Sequence, residues 1–453
     1  MSEVTIGIIG IFVLMAMFLT GIELGYCMAI VVFFGLGYLG TWSAASNQVV
    51  KDFFDTFTSY GFTVIPLFVL MGQVASNSDI AKKLYNSAEK FVGHIPGGLA
   101  MTTVVGATLF KAMCGSTLAT CATFAGIAIP EMTRAGYGKK LSTGVVASVG
   151  TLGMLIPPSI PLMIFGIVTE QSIGKLFLAG VIPGLLISFF FMCVIYGWVR
   201  INPSIAPAAP KSTWKEKIKS SPEFLWVGVI FFVVIGGMMQ GWFSPTEAGS
   251  IGTAAVLILA FAKRVFPFGR LVKAFEESLR TACMVLVLIA GSVVFGHFLT
   301  VTEIPKITAD WVGGLPVNRH FIMILIIFVY LIGGSVIDDL AFMILATPIF
   351  YPAIIKLGFD PIWFGIMIAI TLMIGVIIPP VAISVFIVKN ITGEPFGVIY
   401  SGVYPFLLSL IACAALLFFF PQIALFLLIH QEFREKCRNL REQEQEQGAC
   451  SEA

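Results

Sequence analysis

Two proline pairs lie in the middle of long apolar runs, Pro157-Pro158 within GTLGMLIPPS and Pro379-Pro380 within IGVIIPPVAIS. Adjacent prolines with glycine nearby break a helix, because each ring removes an N–H donor and clashes with the preceding turn. A break at membrane depth frees carbonyls on one half-helix and N–H groups on the other. A small cation can then rest on the carbonyls while an anionic group meets a helix N-terminus. Two further apolar runs are interrupted by polar tips, KAMCGST from Lys111 to Thr117 and GGSVIDD from Gly333 to Asp339, which give Gly115-Ser116 and Gly334-Ser335 equivalent places. Hard cations such as sodium favour oxygen ligands, and the Gly-Ser tips, Thr151 and backbone carbonyls supply oxygen without a full charge. Two similar half-sites point to at least two ions. Asp338 and its neighbour Asp339 are the only acids expected deep beside a tip. A carboxylate there costs on the order of 2.5 to 3.5 kcal/mol unless a cation or a helix N-terminus offsets it. Ion partner and helix N-cap are compatible readings of Asp338. For Lys111 the expected behaviour is a long stem that snorkels toward water, the alternative being an approach to an anionic substrate.

The elements that must position these residues are membrane helices. Hydrophobic residues make up 58% of the 453-residue chain and charged residues 11%, with a mean hydropathy of +0.96, far from the roughly 25% charged of soluble domains. Apolar runs long enough for a hydrocarbon core about 30 Å thick recur to Leu428. The first, Val4 to Thr20, has no basic leader and no small-residue cleavage site, and reads as a spanning helix that stays in the mature protein. Runs 97–130 and 321–352 are too long for one crossing and read as helical hairpins. Their tips are tolerable at membrane depth only against protein or a water-filled cavity. Runs 142–170 and 362–389 carry the proline pairs and read as discontinuous helices.

The two halves repeat at a constant offset of 222 residues: Gly136 with Gly358, Gly153 with Gly375, Ile156 with Ile378, the proline pairs with each other, and AGVIPGLL with SGVYPFLL. The expected organisation is a first repeat over 1–199, a cytoplasmic linker over 200–222 with a short surface helix near Lys211 to Lys219, a second repeat over 223–428, and a polar tail over 429–453. Internal symmetry of this kind marks secondary transporters, whose inverted repeats place the binding site near the midplane. The first 50 residues lack Lys and Arg, so the N-terminus is expected in the periplasm. Five crossings and one re-entrant hairpin per half then put most of the 27 basic residues on the cytoplasmic side, as the positive-inside rule requires. The side of the tail stays open.

Several function classes fall away. A net charge of +2 without a basic face argues against nucleic acid. The eight cysteines contain no C-x-x-C pair and read as core fillers, and His94, His297, His320 and His430 lack metal-ligand spacing. Neither a G-x-x-x-x-G-K-[ST] loop nor an H-E-x-x-H motif is present, so energy is expected from an ion gradient rather than ATP. Asp338 and Asp339 as paired carboxylates of a membrane enzyme would point about 100° apart on a helix, and a continuous pore fits paired helix breaks less well than alternating access.

With IPLFVLMG (65–72), GHIPGGLA (93–100), GTLGMLIPPSIPL (150–162), SIGKLFLAGVIPG (172–184) and DDLAFMILATPIFYP (338–352), the chain resembles the large permease subunit of tripartite ATP-independent periplasmic (TRAP) transporters over about residues 4–428. The resemblance implies an all-α polytopic protein of the bacterial inner membrane. In it, a core of two re-entrant hairpins and two discontinuous helices slides, elevator-fashion, against a scaffold. It implies sodium-coupled uptake of an organic acid, with no enzyme activity and no cofactor beyond coupling sodium ions. The implied partners are a small four-helix membrane subunit, not fused here, and a periplasmic substrate-binding protein. A stand-alone sodium:carboxylate symporter of the same superfamily is the alternative. Carried over by motif, a first sodium site uses Gly115, Ser116, Gly150, Thr151 and Gly153, and a second uses Gly333, Gly334, Ser335, Asp338, Gly375 and Ile378. Substrate lies between them, near Pro157, Pro158 and Ser159 and near Pro379, Pro380 and Val381. Cys114 and Ile378 depart from the serine and threonine that many members carry.

Overall fold

A computed structural model describes residues 2–207, 211–263 and 268–431, and among these all regular structure is helical. The first half contains α1 (Glu3–Phe18), α2 (Leu24–Leu39), α3 (Trp42–Thr58), α4 (Val64–Asn77), α5 (Ile80–Val92), α6 (Gly98–Lys111), α7 (Thr117–Arg134), α8 (Lys139–Gly150), α9 (Ile160–Val168) and α10 (Ile173–Ile201). The surface helix expected in the linker is α11 (Trp214–Ser220), started by a capping box between Thr213 and Glu216. It runs almost without pause into α12 (Pro222–Phe231), a π turn over Phe232–Gly236, and α13 (Gly237–Met239). Then follow α14 (Pro245–Ala262), α15 (Phe268–Val301), α16 (Ile304–Gly314), α17 (Arg319–Val336), α18 (Asp339–Lys356), α19 (Pro361–Gly375), α20 (Ile383–Thr392) and α21 (Phe396–Phe419). The last apolar run is two helices rather than one: α21 stops before Pro421, which opens α22 (Pro421–Gln431). Most of the polar tail, from 432 onward, lies outside the described residues.

Eight of these helical stretches are long and apolar enough to cross a bilayer, and large apolar side chains such as Phe12, Phe232, Ile258, Leu408 and Phe419 stand on the outside. That exterior suits lipid rather than water. Three helices escape a search for apolar runs, because they are amphipathic or short: α3 with Lys51 and Asp52, α5 with Lys82, Lys83 and Lys90, and α16. On α3 the buried Asp52 accepts from Gln48 (2.9 Å) and pairs with Nδ1 of His297 (2.7 Å), tying α3 to α15. His297 is thus engaged structurally.

The offset of 222 governs element boundaries well beyond the segment where residue identities repeat. α7 and α18 begin and end 222 apart, α8 and α19 begin 222 apart, and α2 matches α14, α5 matches α16 and α9 matches α20 within two residues at their starts. The helices α7 and α18 also stop alike, at Gly136 and Gly358, whose positive φ (78° and 74°) only glycine adopts without strain. One mismatch stands out. α3 and α4 are separate helices, joined by a short 3-10 turn over Tyr60–Thr63, whereas their counterpart α15 is a single helix of 34 residues.

Candidate functional site

The helix α6 ends at Lys111, and residues 112–116 form a non-helical tip before α7. Ser116 is the N-cap of α7: its hydroxyl accepts from the N–H of Ala119 at 3.3 Å. The second tip is shorter. The helix α17 continues through Gly333, Gly334 and Ser335 to Val336, and only Ile337 and Asp338 separate it from α18. Asp338 is the N-cap there, its carboxylate accepting from the N–H of Ala341 at 3.3 Å. The equivalence expected between the two Gly-Ser pairs therefore needs correction. In the structure Ser116 corresponds to Asp338, again 222 apart, while Gly333, Gly334 and Ser335 occupy the last turn of a helix. Gly-Ser is a good tip signal only where the chain has already left the helix, and Ser335 instead returns its hydroxyl to the carbonyl of Ile332 at 2.8 Å.

Both apolar runs with proline pairs are broken where expected. α8 ends at Gly150, a 3-10 turn covers Thr151–Met154, and α9 starts after Ser159, which caps it by accepting from the N–H of Leu162. α19 ends at Gly375 and α20 starts after Ala382. Both Pro-Pro bonds are cis.

Each tip is seated on the break of its own half. A side chain at Gly115 would collide with the carbonyl oxygen of Pro158, so the first tip and first break touch backbone to backbone. In the second half a Cβ on Gly375 would lie 2.9 Å from the carbonyl carbon of Gly334 and 3.3 Å from the nitrogen of Ser335. The N–H of Val381 donates to the carbonyl of Ser335 at 3.2 Å. Of the expected first-site residues, Gly115, Ser116 and Gly153 cluster around the tip. Gly150 packs on Cys121 of α7, and Thr151 returns its hydroxyl to Ser148. Of the second set, Gly334, Ser335 and Gly375 meet, Gly333 is covered by the ring of Phe342, and Ile378 is half-buried behind Pro379. The two modules then interlock. α7 packs against α20 and α18 against α9, and the Cys121 thiol donates to the carbonyl of Ser384 at 3.5 Å.

The halves differ in exposure. Residues 151–160, including Pro157, Pro158 and Ser159, are buried, whereas Pro379 and Pro380 are exposed and Val381 half-exposed. Asp338 is likewise exposed. The expectation that Lys111 snorkels is overturned. The residue is fully buried, and its ammonium donates to the carbonyl of Ser116 at 2.9 Å. Its stem lies along Gly153, with Cε and Cδ 3.0 and 3.1 Å from the place a Cβ would take. Sequence spacing missed this because Lys111 lies a turn before the tip, and only the bend at 112–116 folds it back.

Paired broken helices, each receiving the tip of a helical hairpin inside an all-helical body with an apolar exterior, define a multi-pass membrane protein of the transporter class. The crystal structure of the YdaH transporter of Alcanivorax borkumensis shares the fold, with a TM-score of 0.62, 15% identity and coverage of 85% of this chain and 88% of that one. The family model for the tripartite ATP-independent periplasmic transporter, DctM component, matches residues 11–423, and the chain belongs to that family. Similar proteins include the C4-dicarboxylate TRAP transporter large permease protein of Pseudomonas aeruginosa, 35% identical over 82% of this chain and 87% of its own length. The ectoine counterpart of Halomonas elongata is 34% identical over 80% and 85%. The sialic acid counterpart of Vibrio cholerae is 30% identical over 92% and 97%. The chain is a large permease subunit, a multi-pass protein of the inner membrane and a transporter rather than an enzyme.

Proposed function

We propose that this subunit carries out sodium-coupled uptake of an organic acid that a periplasmic substrate-binding protein delivers, working with a small membrane subunit by an elevator-type alternating-access cycle. The observation that carries this reading is the paired tip-on-break module, built 222 residues apart from hairpins α6–α7 and α17–α18 and broken helices α8–α9 and α19–α20. Each module joins helix C-termini to helix N-termini, a combination suited to a cation and a carboxylate side by side.

In this reading the hairpins are re-entrant and the two halves are inverted repeats. The interlocked modules form the moving core, and substrate sits between Pro157–Ser159 and Pro379–Val381. Sodium binds at the tips, through Gly115, Ser116, Gly150, Thr151 and Gly153 in one half and Gly333, Gly334, Ser335, Asp338, Gly375 and Ile378 in the other. The relatives named for C4-dicarboxylates and sialic acid support a carboxylate as cargo.

The test is uptake into proteoliposomes holding this subunit, its small subunit and its binding protein, with and without an inward sodium gradient. Gradient-driven accumulation that requires the binding protein is the expected result. Accumulation without the binding protein would instead identify a stand-alone sodium:carboxylate symporter, and sodium-independent flux would end the coupling proposal.

A further inference from the structure

The two tips carry opposite charges at non-equivalent places. Offset by 222, Lys111 corresponds to Gly333, Ser116 to Asp338 and Gly153 to Gly375. The first tip therefore holds a fixed cation and a neutral cap, and the second a fixed anion and a glycine. Lys111 is fully buried, and among the described residues it forms no ion pair; its ammonium is instead held by the carbonyl of Ser116. That carbonyl also accepts from the Thr120 hydroxyl at 3.0 Å. The ammonium sits between the C-terminal end of α6, which Lys111 itself terminates, and Gly153 in the turn that follows the C-terminal end of α8. The direct acceptor is the carbonyl of the α7 N-cap, and the negative partial charge of the nearby α6 and α8 C-termini favours a cation in such a place.

We infer that the Lys111 ammonium is a tethered cation occupying the place a mobile coupling ion would take in the first half-site, so that only the Asp338 half-site takes up sodium. This rests on the proposed function and refines it from two sodium sites to one. Two reasons carry it. The lysine fills the ground between tip and break, since its Nζ lies against the position of a Gly153 Cβ. A second cation on the Ser116 carbonyl would also face an ammonium a few ångströms away in a medium of low dielectric, where like charges repel strongly. In the second half the corresponding residue is Gly333, which is covered by the uncharged ring of Phe342 and brings no cation of its own, and the carboxylate of Asp338 supplies the charge that a mobile cation would balance.

The experiment is sodium activation of uptake by the reconstituted three-component transporter, together with sodium binding to the purified membrane subunits. For the wild type, activation is expected to be hyperbolic, with a Hill coefficient of about 1, because cooperativity cannot exceed the number of sites. Lys111→Ala, which vacates the space beside Gly153, is expected to take up one additional sodium and to show sigmoidal activation with a Hill coefficient approaching about 2. Lys111→Met, which keeps the volume and removes the charge, is expected to gain no sodium. A wild-type Hill coefficient clearly above one overturns the inference without recourse to any variant, as does equal sodium binding by wild type and a folded Lys111→Ala protein. Complete sodium independence of the wild type would instead strike the coupling proposal beneath it.

Discussion

The two tip-on-break modules share one plan but are finished differently. In the first, polar side chains complete the structure from within. Ser116 caps α7, Ser159 caps α9 while returning its own proton to the carbonyl of Met154 at 2.7 Å, and Lys111 closes the space beside Gly153. In the second, the corresponding positions are Asp338, Val381 and Gly333, and the proline pair stands exposed. The contrast separates a module that is satisfied by its own residues from one that offers a carboxylate and open backbone. The two modules share their element boundaries and differ in the few side chains that carry the charges.

The largest effect should come from wedging a tip off its break. Gly115→Val and Gly375→Val each place a branched side chain into neighbouring backbone and should lower uptake by about 100-fold, the scale of a displacement of an ångström in a preorganised site. Tolerance of Gly375→Val alone would show that the second tip leaves its break during transport. Next, Asp338→Asn should raise half-saturating sodium by roughly fivefold to tenfold, whereas Ser116→Ala should leave it unchanged. Equal shifts in the two variants would erase the asymmetry between tips. A smaller effect is expected from Ser159→Ala, which removes a buried cap and should cost about 1 kcal/mol of stability, seen as a lowered Tm in detergent. Val381→Ala, at a half-exposed position with no capping role, should cost less.

The smallest effect concerns how the hairpins are moored. The distal end of the second is held to α16 by Lys356 and Asp310, 2.6 Å apart, while at the matching place Arg134, among the described residues, pairs within α7 with Glu131 at 2.9 Å. Hydrogen bonding to Lys356, and then its charge, hold the Asp310 carboxyl below its ordinary value of 3.8. A depressed carboxyl contributes stability that is fully present above the ordinary value and lost as pH falls through the lower folded value. The Tm difference between wild type and Asp310→Asn should accordingly be constant from neutral pH down to the ordinary carboxylate range and vanish in more acidic solution. A difference that persists there would assign the residue a role other than this ion pair.

Much of this was legible in residue order. Proline pairs break helices whatever surrounds them, so α8–α9 and α19–α20 divide where expected. Length together with the polar breaks at Lys111 to Thr117 and Gly333 to Asp339 pointed to the runs 97–130 and 321–352 folding back. What escaped was set by neighbours. Gly334 and Ser335 remain helical because the chain does not turn until Ile337, and nothing local distinguishes their Gly-Ser pair from that at Gly115. The position of Lys111 depends on the path of residues 112–116, which brings the carbonyl of Ser116 within reach. The amphipathic helices α3 and α5 carry charges that interrupt any apolar window, although period-3.6 spacing would have found them.

The undivided α15 has a mechanical meaning. At about 1.5 Å per residue its 34 residues extend about 51 Å, well beyond a hydrocarbon layer of about 30 Å. The surplus falls toward its N-terminal end, where Arg270, Lys273, Glu276, Glu277 and Arg280 are gathered. That end is latched to the corner between α4 and α5, Arg270 to Asp79 at 3.2 Å and Asn77 to Glu277 at 2.9 Å. Farther along, the hydroxyl of Ser292 reaches the carbonyl of Ile344 in α18. A single stiff rod thus runs from the water-facing corner that launches α5 to the hairpin bearing Asp338, and a bilayer thick or thin enough to change its tilt would be felt at both ends.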